Sequence, residues 1–185
     1  MYTNKTTTQV NLITRIYNTG DPHDVLSRLW DILKDGKIHI NDCIDQEGNT
    51  ILMYATIHGN KNMVEKLIDA GANKDIGNRK GKTALELAAR FGHIKTVEYL
   101  ISLDRTKKEQ KSNSTIALFT AAKYGHKDIV LSLLSLGACI GVMDKYANTA
   151  LHHAAYKKHL QMVGCLVDKG IDINVKNMNG STALC

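Results

Sequence analysis

Apolar residues recur along the chain in pairs of short helical stripes, and the stripes themselves repeat. Leu52, Leu85, Leu118, Leu151 and Leu184 follow one another at a constant step of 33. The same shift relates Ala55, Ala88, Ala121 and Ala154, then Val64, Val97, Val130 and Val163, then Leu67, Leu100, Leu133 and Leu166. Gly59, Gly92 and Gly125 follow it, with Lys158 as the exception; His93, His126 and His159 follow it, with Asn60 as the exception. Four units therefore occupy 45–77, 78–110, 111–143 and 144–176 without insertion, preceded by 1–44 and followed by 177–185. A fixed period of this length marks supersecondary units that stack in series.

Within 78–110 the pattern predicts a helix from a cap at Thr83 to about Phe91, with Leu85 and Ala88 on one face. Gly92-His93 breaks it, and a second helix, about Lys95–Leu103, carries Val97, Leu100 and Ile101 inward. A tight turn leads onward, marked by Gly71-Ala72 in the first unit and Gly170-Ile171 in the fourth. Helices this short cannot bury their apolar faces alone, so neighbouring units must stack. The small alanine at 55, 88, 121 and 154 permits close approach.

Residues 1–44 do not follow the period. They predict a helix over about Thr8–Asn18, with Val10, Ile13, Ile16 and Tyr17 on one side, and a second over about Pro22–Leu33. Gly20-Asp21-Pro22 separates them, with Asp21 as cap and proline at the first helical position. This stretch reads as a degenerate N-terminal capping repeat, and 177–185 as a truncated repeat or stub. The second helix of the fourth unit, about Gln161–Lys169, is expected to leave its flank near Met162, Cys165 and Leu166 poorly covered.

The fourth unit reads Asp144-Lys145-Tyr146-Ala147-Asn148-Thr149-Ala150-Leu151-His152-His153-Ala154-Ala155, then His159, Met162-Val163 and Leu166-Val167. This resembles the ankyrin repeat, whose core is D-x-x-G-x-T-P-L-H-x-A-A-x-x-G-H-x-x-(I/V)-V-x-x-L-L-x-x-G-A. The resemblance covers 45–185 and, more loosely, the stretch before. It implies an all-α solenoid of stacked helix-turn-helix units with β-hairpin loops. Two departures stand out. The family's proline is replaced in every copy, by Ile51, Ala84, Ala117, Ala150 and Ala183. Asp104 stands where a turn glycine belongs, and Leu103–Ser114 is charged, so that hairpin is expected to be the least regular.

Composition narrows the function classes. Apolar residues make up 43% and charged residues 23%, which suits a folded domain. No run of 18 apolar residues exists, and the polar N-terminus leads to no apolar signal core, so membrane insertion and export are not expected. Cys43, Cys139, Cys165 and Cys185 are widely scattered and form no closely spaced zinc pair. An intracellular, reducing setting is the expectation: cytoplasm, nucleus or host cytosol. No nucleophile elbow, phosphate loop or zinc-protease motif occurs, so neither catalysis nor a cofactor is expected. His93, His126 and His159 are spaced too far apart in a stack to share a metal, and the adjacent His152 and His153 diverge by about 100° on a helix.

Charge points to a binding surface. The four units carry net charges of −2, +4, +2 and +2. In the ankyrin family the concave face is formed by hairpin tips and the exposed flank of each first helix. Carried onto this sequence, those positions give Arg79, Lys80, Lys82, Arg90 and Phe91, then Lys123 and Tyr124, then Lys145, Tyr146, Tyr156 and Lys157. Rings and arginine often anchor interfaces. The expected function is a non-catalytic adaptor, scaffold or inhibitor, of the kind also found in viruses and among bacterial effectors. It would act as a monomer or weak dimer and bind a protein partner with an acidic segment. The alternative is nucleic-acid binding through the same basic, aromatic surface. The family resemblance also implies that Asn174, in a hairpin, is a candidate for hydroxylation.

Overall fold

A computed structural model describes residues 21–184. The helix expected at 8–18 and the terminal Cys185 lie outside the described residues. Contacts divide the described residues into two compact bodies, 21–87 and 88–184.

In the N-terminal body, helix α1 (Pro22–Lys34) begins as the sequence predicts. The Asp21 carboxylate accepts from the His23 N–H at 2.9 Å, and proline takes the first helical position. Val25, Leu26 and Leu29 are buried against α2 (Ile51–Ile57). Thr50 caps α2, whose residues 51–56 are all buried. Helix α3 (Lys61–Asp69), capped by the Asn60 side chain, packs on α2 through Val64 and Leu67. Helix α4 (Ala84–Phe91), whose last four residues belong to the C-terminal body, opens with a reciprocal cap. Thr83 Oγ accepts from the Glu86 N–H, and the Glu86 carboxylate accepts from the Thr83 N–H.

The C-terminal body contains α5 (Ile94–Ser102), α6 (Lys107–Tyr124), α7 (Lys127–Ser135), α8 (Ala150–Tyr156) and α9 (Leu160–Asp168). α6 packs against α5, α7 and α8, and α9 against α7 and α8. The starts of α3, α5, α7 and α9 fall at 61, 94, 127 and 160, the same period again. Val97, Leu100, Leu118, Ala121, Val130, Leu133, Leu151, Ala154 and Leu166 are all buried. Each large aliphatic side chain so buried contributes about 1.5–3 kcal/mol. The core thus consists of the periodic positions.

Histidine and glycine join successive repeats. The His126 ring lies against Gly92, and its Nε2 donates to the Arg90 carbonyl at 2.8 Å. His159 repeats this against Gly125, donating to the Lys123 carbonyl at 3.0 Å. Both glycines adopt the left-handed conformation, with φ of 81° and 80°.

The hairpin loops are short, and two further expectations are corrected. Among the described residues the only bridge is the isolated pair Cys43–Thr50. Side chains reinforce the turns. Oδ1 of Asn78 accepts from the N–H groups of Lys80 and Lys82, that of Asp144 from Tyr146 and Asn148, and that of Asn177 from Asn179 and Ser181. The backbone closes each turn as well, the N–H of Asn78 donating to Lys82 O, that of Asp144 to Asn148 O and that of Asn177 to Ser181 O.

The first correction concerns 103–114, which holds no hairpin. α6 begins at Lys107 and runs 18 residues, opened by a capping box between Thr106 and Glu109. The turn needs Asp or Asn at its start and a left-handed residue three places later, as at Asn78 and Gly81. Here those places hold Lys111, which has no acceptor, and Ser114. Lysine, glutamate and glutamine favour helix, and the helix propagates through. It leaves the buried Ser114 hydroxyl without a hydrogen-bond partner among the described residues.

The second correction concerns α9. Met162, Cys165 and Leu166 are buried, whereas Leu160 and Val167 are exposed and Val163 half-buried. Positions 160, 163 and 167 share a face; 162, 165 and 166 lie on the opposite one. Its uncovered flank is therefore the other stripe.

Two stability outcomes follow. Ala147 sits at φ 59°, a conformation costing about 1–2 kcal/mol for a residue with a Cβ. Ala147→Gly should raise urea-unfolding stability by roughly 1 kcal/mol; no gain would refute the strain. A Cβ on Gly92 would meet the His126 ring at 2.8 Å, whereas one on Gly71, also left-handed, meets nothing within 4 Å. Gly92→Ala should therefore cost about 1 kcal/mol more than Gly71→Ala, and equal losses would contradict the contact.

Candidate protein-interaction surface

The structure divides the eleven predicted binding residues between the two bodies. In the N-terminal body Arg79, Lys80 and Lys82 are exposed. Two of these have carboxylate partners: Lys80 Nζ lies 2.9 Å from Glu47, and Lys82 Nζ 2.7 Å from Glu86. Their charge is largely compensated locally.

The C-terminal body differs. Arg90 and Phe91 end α4, and Lys123 and Tyr124 end α6. Left-handed Gly92 and Gly125 follow and terminate each helix. Tyr156 ends α8, Lys157 follows it, and Lys158 at φ 60° takes the glycine's place. Lys145 and Tyr146 stand at the tip of the Asp144 turn. All are exposed except the half-buried Lys123, and Tyr156 is 81% exposed.

Each of the four rings has a cation beside it. The Arg90 guanidinium lies 5.4 Å from the Phe91 ring and 5.2 Å from that of Tyr124, linking successive repeats. Lys123 is 6.0 Å from Tyr124, Lys145 4.9 Å from Tyr146 and Lys157 5.5 Å from Tyr156. Such pairs are worth about 0.5–1 kcal/mol at exposed sites.

The net charge belongs to this body. Residues 88–184 carry 13 Lys and Arg against 7 Asp and Glu, a net of +6; residues 21–87 carry 9 against 11, a net of −2. None of those 13 cations forms an ion pair among the described residues. Every exposed large apolar side chain among the described residues also lies at position 91 or later. Uncompensated positive charge and exposed apolar surface thus coincide.

Sequence reasoning misses a groove of about 480 Å³ beside α8. Lys123 and Tyr156 line it, together with His152, His153, Asn148 and the 177–183 segment. Asn177 lies one period after Asp144, a signal for the turn but not for the cavity. His152 Nδ1 accepts from the Thr149 N–H, so its Nε2 carries the proton and donates to the Ser181 carbonyl at 3.2 Å. Asn174 is exposed, with its N–H bonded to Asp172. Among the described residues no group of His, Cys, Asp and Glu could hold a metal ion, and no helix is long and apolar enough to cross a membrane.

The Asp144 carboxylate organises the turn beneath Tyr146. Partial burial pushes its pKa up, but hydrogen bonds from the Asn148 and Tyr146 N–H groups and from the His153 and Asn148 side chains outweigh this. The result lies below the ordinary 3.8. A depressed carboxylate stabilises the fold above its unfolded value and loses that contribution as pH falls through the folded value. The stability gap between wild type and Asp144→Asn should be largest near neutrality and shrink below about pH 4. A gap independent of pH would exclude this role.

A family model described as ankyrin repeats (3 copies) matches residues 16–111 and 102–177. No curated protein matches the chain. Ankyrin repeats are generally protein–protein interaction modules, and the family is typically non-catalytic. With the match extending from 16 to 177, and with paired helices recurring at the period of the sequence, the chain belongs to the ankyrin-repeat family.

Proposed function

We propose that the protein is an adaptor, scaffold or inhibitor whose C-terminal body binds an acidic segment of another protein. One observation carries this reading: Phe91, Tyr124, Tyr146 and Tyr156 are exposed, and each lies beside a cation that has no carboxylate partner among the described residues. The rings offer contact area with little entropy to lose, and aromatic and arginine side chains supply most interface hot spots. The free cations favour Asp and Glu on the partner and steer its approach. Lys80 and Lys82, already held by Glu47 and Glu86, add less.

The test is recovery of the partner by affinity capture and mass spectrometry, followed by binding measurements on variants. Phe91→Ala or Tyr124→Ala should each cost about 2 kcal/mol, roughly thirtyfold in affinity. Lys157→Glu should mainly slow association and flatten its salt dependence, while Lys80→Glu should change little. If alanine at Phe91, Tyr124, Tyr146 and Tyr156 leaves affinity intact, the interface lies elsewhere. Capture of nucleic acid, with affinity falling steeply between about 50 and 200 mM salt, would replace the protein partner by a polyanion.

A further inference from the structure

The groove beside α8 has a chemistry of its own. Its volume of about 480 Å³ falls within the range of ligand sites. Among the described residues no Asp or Glu lines it. Every backbone N–H of its 177–181 wall is engaged. The N–H of Asn177 donates to Ser181 O, that of Gly180 to Asn177 O, and those of Asn179 and Ser181 to Asn177 Oδ1. The Met178 N–H donates to Tyr146 O. This wall therefore offers no cluster of free N–H groups, the feature that backbone phosphate sites use. His152 has both ring nitrogens engaged, and His153 Nε2 is held by Asp144 at 2.9 Å.

What remains is one full charge and one apolar wall. The Lys123 ammonium has no carboxylate partner among the described residues. Tyr156, Ala155 and Ala183 supply apolar surface. A single ammonium without an N–H cluster matches a monoanion better than a phosphate dianion.

Building on the protein-binding reading above, we infer that this groove receives an extended peptide segment. One Asp or Glu side chain meets Lys123, and an aliphatic neighbour packs on Tyr156. The segment is thus the acidic, apolar anchor of the partner, and its seat lies largely on residues outside the predicted surface.

The test uses the full-length ¹⁵N-labelled chain titrated with acetylated, amidated hexapeptides bearing a central Glu-Leu pair. Saturable amide shifts are expected at His152, His153, Tyr156 and 179–182. Gln-Leu and Glu-Ser analogues should bind at least roughly tenfold more weakly, as should Lys123→Met with the parent peptide. Ala183→Trp should abolish binding by filling the groove, and Tyr156→Ser, at an exposed ring, should weaken it without unfolding. Absence of groove shifts at millimolar peptide, or equal binding of Glu and Gln peptides, overturns the inference. A phosphoserine-Leu peptide that binds tenfold tighter than Glu-Leu overturns the monoanion assignment. If the peptides fail while Phe91→Ala and Tyr124→Ala still weaken a recovered protein partner, the groove is wrong and the broader reading stands.

Discussion

Helices of seven to nine residues cannot bury an apolar face by themselves, and the rest of this structure depends on that constraint. Most helices here are of this length. Their valines, leucines and alanines reach full burial only because the neighbouring repeat supplies the other half of each contact. Alanine at 55, 88, 121 and 154 is fully buried. Histidine at 126 and 159 then locks the register, because its ring fits only over a glycine of the preceding repeat and its Nε2 reaches a carbonyl there.

The same stacking explains where function resides. Once the core positions are committed, side chains left for recognition are those at helix ends and turn tips, and these recur with the repeat. In the N-terminal body Lys80 and Lys82 of that series are paired with Glu47 and Glu86. In the C-terminal body acids are fewer, and lysine and arginine lie over aromatic rings instead. A cation over a ring keeps its charge available to a partner, whereas one in an ion pair does not. The two bodies therefore share a repeat but differ in the surface they present.

Much of this is legible in the sequence because the period exposes the core directly. The valine at 97 and 130 and the leucine at 100 and 133 can be assigned inward without coordinates, and Asp21-Pro22 marks the start of α1. What escapes depends on bonds between distant residues or on helical phase. The 103–114 stretch reads as an irregular hairpin because the family has one there; the decisive facts are the missing acceptor at Lys111 and the missing glycine at Ser114. The flank of α9 misleads because Val163, which the period equates with the fully buried Val64, Val97 and Val130, is half-buried, while Met162 is buried. The groove is invisible because it requires 177–183 to fold back beside α8, held by Asn177 Nδ2 donating to Asn148 Oδ1 at 3.1 Å.

The central claim is that recognition belongs to the C-terminal body, where positive charge is uncompensated and apolar side chains are exposed. Hydrogen–deuterium exchange of the full chain, with and without its bound partner, tests this most directly. The account predicts new protection at 90–91, 123–124 and 144–157, with residues 21–87 unchanged. Protection confined to 21–87 would contradict it.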